Sequence, residues 1–178
     1  MNPYAEFVSK SARVVREARN LPLGGFPPAP RPDLKPDAPR ALFFAPHPDD
    51  ETISGGLALR LYREAKLNVI NVAVTQGSKK DRQAERLVEL QNACNYLGFG
   101  LQTTAPNGLE RVTAKTRQSD PLYWAGMVKV IADILLKHQP RVVIFPHERD
   151  WNGTHIGVHH LVVDALAQLP AGVECFTV

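Results

Sequence analysis

Residues 41–51 read Ala-Leu-Phe-Phe-Ala-Pro-His-Pro-Asp-Asp-Glu. The first five are apolar and end at Pro46, the pattern of a short, fully buried strand. Four of the next five, His47 to Glu51, are polar: one imidazole, then three consecutive carboxylates after Pro48. A buried strand that breaks into such a cluster marks a parallel α/β sheet, where ligands bind beyond the carboxyl ends of the strands.

The alternation continues outward from this stretch. Thr52–Lys66 has helical spacing through Ile53, Leu57, Leu61 and Ala65. Leu67–Val74 is β-branched and reads as a strand stopped at Gln76-Gly77. Asp81–Leu97 reads as a helix with Leu87, Leu90, Ala93, Cys94 and Leu97 inward and Gly98 as its stop. Gly100–Thr104 is a weak strand, followed by a long polar stretch over Ala105–Ser119. Asp120-Pro121 pairs an N-cap with a proline at the first helical position and opens a helix to His138. Arg141–Phe145 is another apolar strand, His155–Gln168 a helix, and Val173–Val178 a final strand. Apolar strands alternating with helices imply a Rossmann-like, three-layer α/β/α fold with a mainly parallel sheet.

The charge is split along the chain. Of 178 residues, the first 40 hold seven basic and four acidic side chains, and residues 41–178 hold fourteen of each. The net charge of +3 therefore belongs to the leader. Eight of the 15 prolines also precede residue 41. Residues 4–19 have a helical stripe of Tyr4, Phe7, Val8, Ala12 and Val15. The seven prolines from Pro22 to Pro39 favour an extended tether. The expected division is a helix and Pro-rich leader over 1–40 and a globular domain over 41–178. A body without net charge argues against non-specific nucleic-acid binding. No apolar run is long enough to span a membrane and no secretory signal is present. Cys94 and Cys175, with no CxxC pair, read as reduced thiols of a cytoplasmic protein. An oligomer is compatible with all of this.

Two polar clusters follow strands. His47 and Asp50, three apart at a strand-to-helix turn, can share a divalent ion such as Zn²⁺, with a third ligand supplied from elsewhere. The second cluster runs from His147 and Asp150 through His155 and His159 to His160. His155 and His159, four apart, face one way on a helix. Two imidazoles and one carboxylate leave open positions for water and substrate, and Asp49 is then a spare carboxylate able to act as base. The same His47–Glu51 run also suits a plain helix start, its acids complementing the helix dipole.

The segment Ala45-Pro46-His47-Pro48-Asp49-Asp50-Glu51 resembles the signature of the PIG-L/LmbE-like N-acetylglucosaminyl deacetylases. Thr75-Gln76-Gly77, the Arg86–Leu90 run with Leu97-Gly98, and Asp150-Trp151-Asn152-Gly153 before a histidine pair are similar to further parts of that family. The resemblance covers about residues 41–170. It implies a zinc-dependent amidohydrolase (Fe²⁺ or another divalent ion being compatible) that removes the acetyl group from an N-acetylglucosamine-type conjugate. By the resemblance His47, Asp50 and His159 are metal ligands and Asp49 is the base. His155, or His147 in its place, holds the oxyanion and protonates the amine. Arg86 lines the substrate pocket. Asp150 and Trp151 stand beside the proposed site, where Trp151 is placed to stack on a sugar ring, and Glu51 is structural.

Three departures stand out. His155 and His159 are one residue further apart than the family's usual H-x-x-H. Ser78-Lys79-Lys80-Asp81 replaces an acidic, Gly-rich turn. The chain stops at Val178, where family members usually continue, which suggests a fragment or a minimal member. The rival readings are a different metallohydrolase, on another amide or a phosphoester, and a non-catalytic binding or scaffold protein.

Overall fold

A computed structural model describes residue 2, residues 4–22 and residues 24–178; Met1, Pro3 and Leu23 of the leader lie outside the described residues. Five strands form one parallel sheet in the order β3-β2-β1-β4-β5. They are β1 (Arg40–Ala45), β2 (Asn68–Ala73), β3 (Gly100–Thr103), β4 (Val142–Ile144) and β5 (Phe176–Thr177). The helices are α1 (Ala5–Ala18), α2 (Asp50–Ile53), α3 (Gly56–Arg63), α4 (Gln83–Leu97), α5 (Ala114–Ser119), α6 (Pro121–His138) and α7 (Gly153–Leu166).

The period of two in a strand explains why β1 is apolar after its exposed first residue, Arg40. Leu42 and Phe44 join the core under α6 and α7, with Val143, Ile131 and Leu161. Ala41, Phe43 and Ala45 point the other way, into the core under α3 and α4, with Tyr62, Leu90 and Cys94. Both faces are covered over Ala41–Ala45, so none of these five positions can be polar without a buried cost. The expected three-layer α/β fold is what the chain adopts.

Successive strands run outward from β1 to β2 and β3, whereas β4 and β5 lie on its other side. The crevice where the order reverses is between β1 and β4, where ligands bind in such sheets. The His47–Glu51 segment leaves β1 there, and the His147–His155 segment leaves β4.

Several local expectations shift. The single helix over 52–66 is two pieces. It breaks at Ser54-Gly55, where a Cβ on Gly55 would collide with the Glu51 carbonyl. The break resets the helical phase: Ala58 and Tyr62 are buried, whereas Ile53 is 74% exposed. The stretch 105–119 contains α5, capped by Thr113 Oγ1 on the Thr116 N–H at 3.1 Å, and Thr75 and Gly108 form an antiparallel bridge. α7 starts at Gly153 rather than at 155, because the Asn152 side chain accepts from Thr154 N at 2.8 Å. The last strand shrinks to Phe176–Thr177. The apolar stripe of α1 is largely exposed at Tyr4, Phe7, Val8 and Val15, and no residue of that helix is buried. The leader is not a free tether throughout: Leu34 packs on the α3/α4 core and Arg31 donates to Asn95 O at 2.9 Å. No described helix is long and apolar enough to cross a membrane.

Candidate metal centre

The turn after β1 is tied down peptide by peptide. Thr75 Oγ1 donates to Pro46 O at 2.6 Å, and Arg86 Nη2 donates to Pro48 O at 2.7 Å. The Asp50 carboxylate accepts from His47 N at 2.8 Å and the Glu51 carboxylate from Asp49 N at 3.0 Å. Thr52 Oγ1 donates to Asp49 O at 2.7 Å. These ties hold Asp49 at φ 144°, a backbone conformation that residues with a Cβ avoid. Asp49 itself faces solvent, with Arg86 Nη2 at 3.5 Å from its carboxylate.

Three side chains converge in the crevice. His47 Nδ1 and His155 Nε2 each lie 3.5 Å from Asp50 Oδ2, and one donor atom of each residue falls within 4.8 Å of the others. Two ligands about 2.0–2.1 Å from a tetrahedral ion stand about 3.3–3.4 Å apart, so both separations to Asp50 fit a shared Zn²⁺. The tautomers fit as well. His155 Nδ1 is 3.1 Å from the Asp150 carboxylate, which can only accept, so Nδ1 carries the proton and Nε2 presents its lone pair. Burial pushes the Asp50 carboxyl up, but the hydrogen bonds from His47 and the adjacent imidazoles outweigh it and hold the group below its ordinary range. The Asp150 carboxyl is also held low, chiefly by the Asn152 N–H, against a small burial effect and with help from His155.

Not all the expected residues join this group. His155, the expected oxyanion residue, is the third member of the group that could hold a metal ion. His159 stands outside: its Nδ1 donates to Pro146 O at 2.9 Å and its ring lies against Phe145 and His160. Asp150 contacts His155 rather than open substrate space. His147 is exposed at the edge of the group and accepts from Arg149 N through Nδ1 at 3.1 Å, which leaves Nε2 as the protonated donor nitrogen of its neutral form. Trp151 is 91% exposed on the loop before α7. Arg86 lines the cleft but is also bonded to the turn, and Gly77 makes room for it: a Cβ there would lie 2.5 Å from Arg86 Nη1.

The group stands between two hollows. A cavity of about 450 Å³ is bounded by His47, Arg86, Thr154 and the 75–80 and 109–113 segments. A smaller one of about 230 Å³ lies against Asp50, His147, Asp150 and His155. Sequence reasoning did not single out Arg111, which lines the larger cavity, and a φ of 53° in a long polar loop leaves no periodic signal. Gln76, the middle residue of the Thr75-Gln76-Gly77 motif, is buried with both side-chain polar atoms unpaired, which the sequence did not signal.

Fold and site define a Rossmann-like α/β protein with a two-histidine, one-carboxylate candidate metal centre at its strand-order switch. Residues 42–166 match the family described as PIG-L, GlcNAc-PI de-N-acetylase, and the chain belongs to that family. It is 29% identical over 166 residues to a 1D-myo-inositol 2-acetamido-2-deoxy-alpha-D-glucopyranoside deacetylase of Thermomonospora curvata, covering 76% of this chain and 55% of that relative. Two solved structures share its fold. One is the N,N'-diacetylchitobiose deacetylase of Pyrococcus horikoshii, at TM-score 0.57 and 22% identity, covering 96% of this chain and 62% of that one. The other is a 4-carboxy-2-hydroxymuconate hydratase of Pseudomonas putida, at TM-score 0.55 and 20% identity, covering 78% and 62%. The chain thus spans under two thirds of the length of these relatives. A fold shared by a deacetylase and a hydratase leaves the reaction to be argued from the site.

Proposed function

We propose that this chain is a metal-dependent N-deacetylase that removes acetate from an N-acetylglucosamine-type sugar conjugate. The observation that carries this reading is the His47–Asp50–His155 group, with Asp49 next to Asp50 in the same turn and His47 at the wall of a cavity of about 450 Å³. Two imidazole nitrogens and one carboxylate oxygen suit Zn²⁺, and Fe²⁺ shares that preference. An ion held there supplies a Lewis acid for the acetamide carbonyl and brings the pKa of water toward about 7.

The chain's own residues do the rest. Asp49 takes a proton from the attacking water, its position fixed by Glu51 and Arg86. The water oxygen adds to the carbonyl carbon, and the C–N bond breaks as the nitrogen receives a proton. His147 donates a hydrogen bond from Nε2 to the oxyanion, and the proton that Asp49 took from the water passes to the departing amine. Asp150 keeps His155 in the tautomer that leaves Nε2 free. Arg86 meets the sugar's polar edge, and Trp151 offers an apolar face to the ring. Free thiols at Cys94 and Cys175 suit a cytoplasmic setting.

Amine and acetate release from N-acetylglucosamine derivatives, followed with zinc and after chelation, tests the reading. Equal release of both products, lost on chelation and restored by zinc, is expected. A zinc-loaded chain that releases neither product, or that instead cleaves phosphoesters, would overturn it.

A further inference from the structure

The larger cavity is not electrically neutral. Apart from His47, its ionisable lining is Lys80, Arg86, Arg111 and Glu110. Arg86 is committed to the Pro48 carbonyl and to Asp49. Lys80 and Arg111 are not committed in that way. Lys80 opens a 3-10 turn, Lys80–Arg82, ahead of α4, within the segment where the sequence replaces an acidic turn. Arg111 comes from the loop ahead of α5.

Each is answered by an exposed carboxylate. Lys80 Nζ lies 3.2 Å from Glu110, with side chains 76% and 52% exposed. Arg111 Nη2 lies 3.3 Å from Asp120, with side chains 57% and 40% exposed. Solvent-exposed pairs of this kind are weak, so a ligand anion can compete for both cations. Arg111 is nevertheless held in place. Its backbone is in the left-handed region, its guanidinium stacks on the Tyr123 ring at 4.0 Å, and Tyr123 Oη donates to Glu110 O at 3.1 Å.

We propose that Lys80 and Arg111 form a subsite for a negatively charged group, phosphate or carboxylate, carried by the substrate outside its acetamide. This rests on the deacetylase reading of the metal centre. The substrate is then an acidic N-acetylamino sugar conjugate rather than a neutral oligosaccharide. The cations also raise the local concentration of such substrates, an effect that salt weakens.

The test compares kcat/KM of the zinc-loaded chain for N-acetylglucosamine, its 1-phosphate, its 6-phosphate and N-acetylmuramic acid. At least one acidic sugar should exceed the neutral one by tenfold or more, chiefly through KM, with added salt reducing the gain. The phosphate and carboxylate arms tell which anion is read. Lys80→Met alone, and the Lys80→Met/Arg111→Met pair, should shrink the ratio stepwise. Equal kcat/KM for neutral and acidic sugars, or a ratio that survives both variants, overturns the subsite while leaving the deacetylase reading intact. If no sugar is turned over, the deacetylase reading fails instead. Calorimetric titration of N-acetylglucosamine and its 1-phosphate then decides the subsite alone: tighter binding of the phosphate supports it, and equal binding overturns it.

Discussion

Asp49 and Glu51 show how one turn makes a reactive group. A non-glycine residue at φ 144° costs on the order of 1–3 kcal/mol, and it persists because its neighbours over-determine it. The Glu51 carboxylate, buried and pushed above its ordinary pKa chiefly by that burial, is spent on the Asp49 N–H. Asp49→Asn keeps this backbone and the three candidate ligands. It should therefore retain zinc by elemental analysis while amine release falls roughly 10²–10⁴-fold; near-normal release would assign the base elsewhere. Asp150→Asn removes the charge partner of His155 and should weaken zinc affinity roughly 10–100-fold in a competition titration with a chelator. His47 and Asp50 were legible because their spacing at the end of an apolar strand is itself the signal. The choice between His155 and His159 was not, since both occupy one helix face. It depends on where α7 begins. His155 is in the first turn, over the strand ends, and His159 sits about 6 Å further along the axis.

At the scale of elements, the sheet faces were readable because β1 alternates between two cores while remaining apolar on both. The order of the strands was not, because parallel pairing is decided by crossovers that leave no local mark. Nor was the break at Ser54-Gly55 readable, where the backbone passes so close to the Glu51 carbonyl one turn earlier that only a glycine fits, within an acceptable helical pattern. A similar approach governs α7. Gly157 lies so close to the Val112 carbonyl that a Cβ would collide with backbone. Gly157→Ala should force α7 away from the segment that walls the larger cavity and destabilise the chain by about 1–3 kcal/mol. Thermal unfolding should show a fall of several degrees. An unchanged midpoint would mean that this segment yields freely.

For the whole molecule, the charge division has a structural counterpart. The positively charged leader carries a helix with no buried residue, and the net-zero body carries both cores and the site. The body also stores one titration. Burial, with a contribution from Glu51 that Asn71 partly offsets, pushes the Cys94 thiol up to about 11 from an ordinary 9.0. The folded chain then holds that proton longer than the unfolded chain. Stability is unaffected below pH 9 and falls as pH rises toward 11, by up to about 2–3 kcal/mol in all. Denaturant midpoints should decline across that window and flatten in Cys94→Ala; an identical slope in that variant would assign the loss to other groups. The chemistry proposed for the whole chain rests on His47, Asp50 and His155 holding the ion while His159 does not. Elemental analysis of zinc in His155→Ala and His159→Ala, purified side by side with the parent chain, decides between the two histidines. About one zinc per chain is expected in the parent and in His159→Ala, and little in His155→Ala; zinc retained in His155→Ala and lost in His159→Ala would contradict this ligand set.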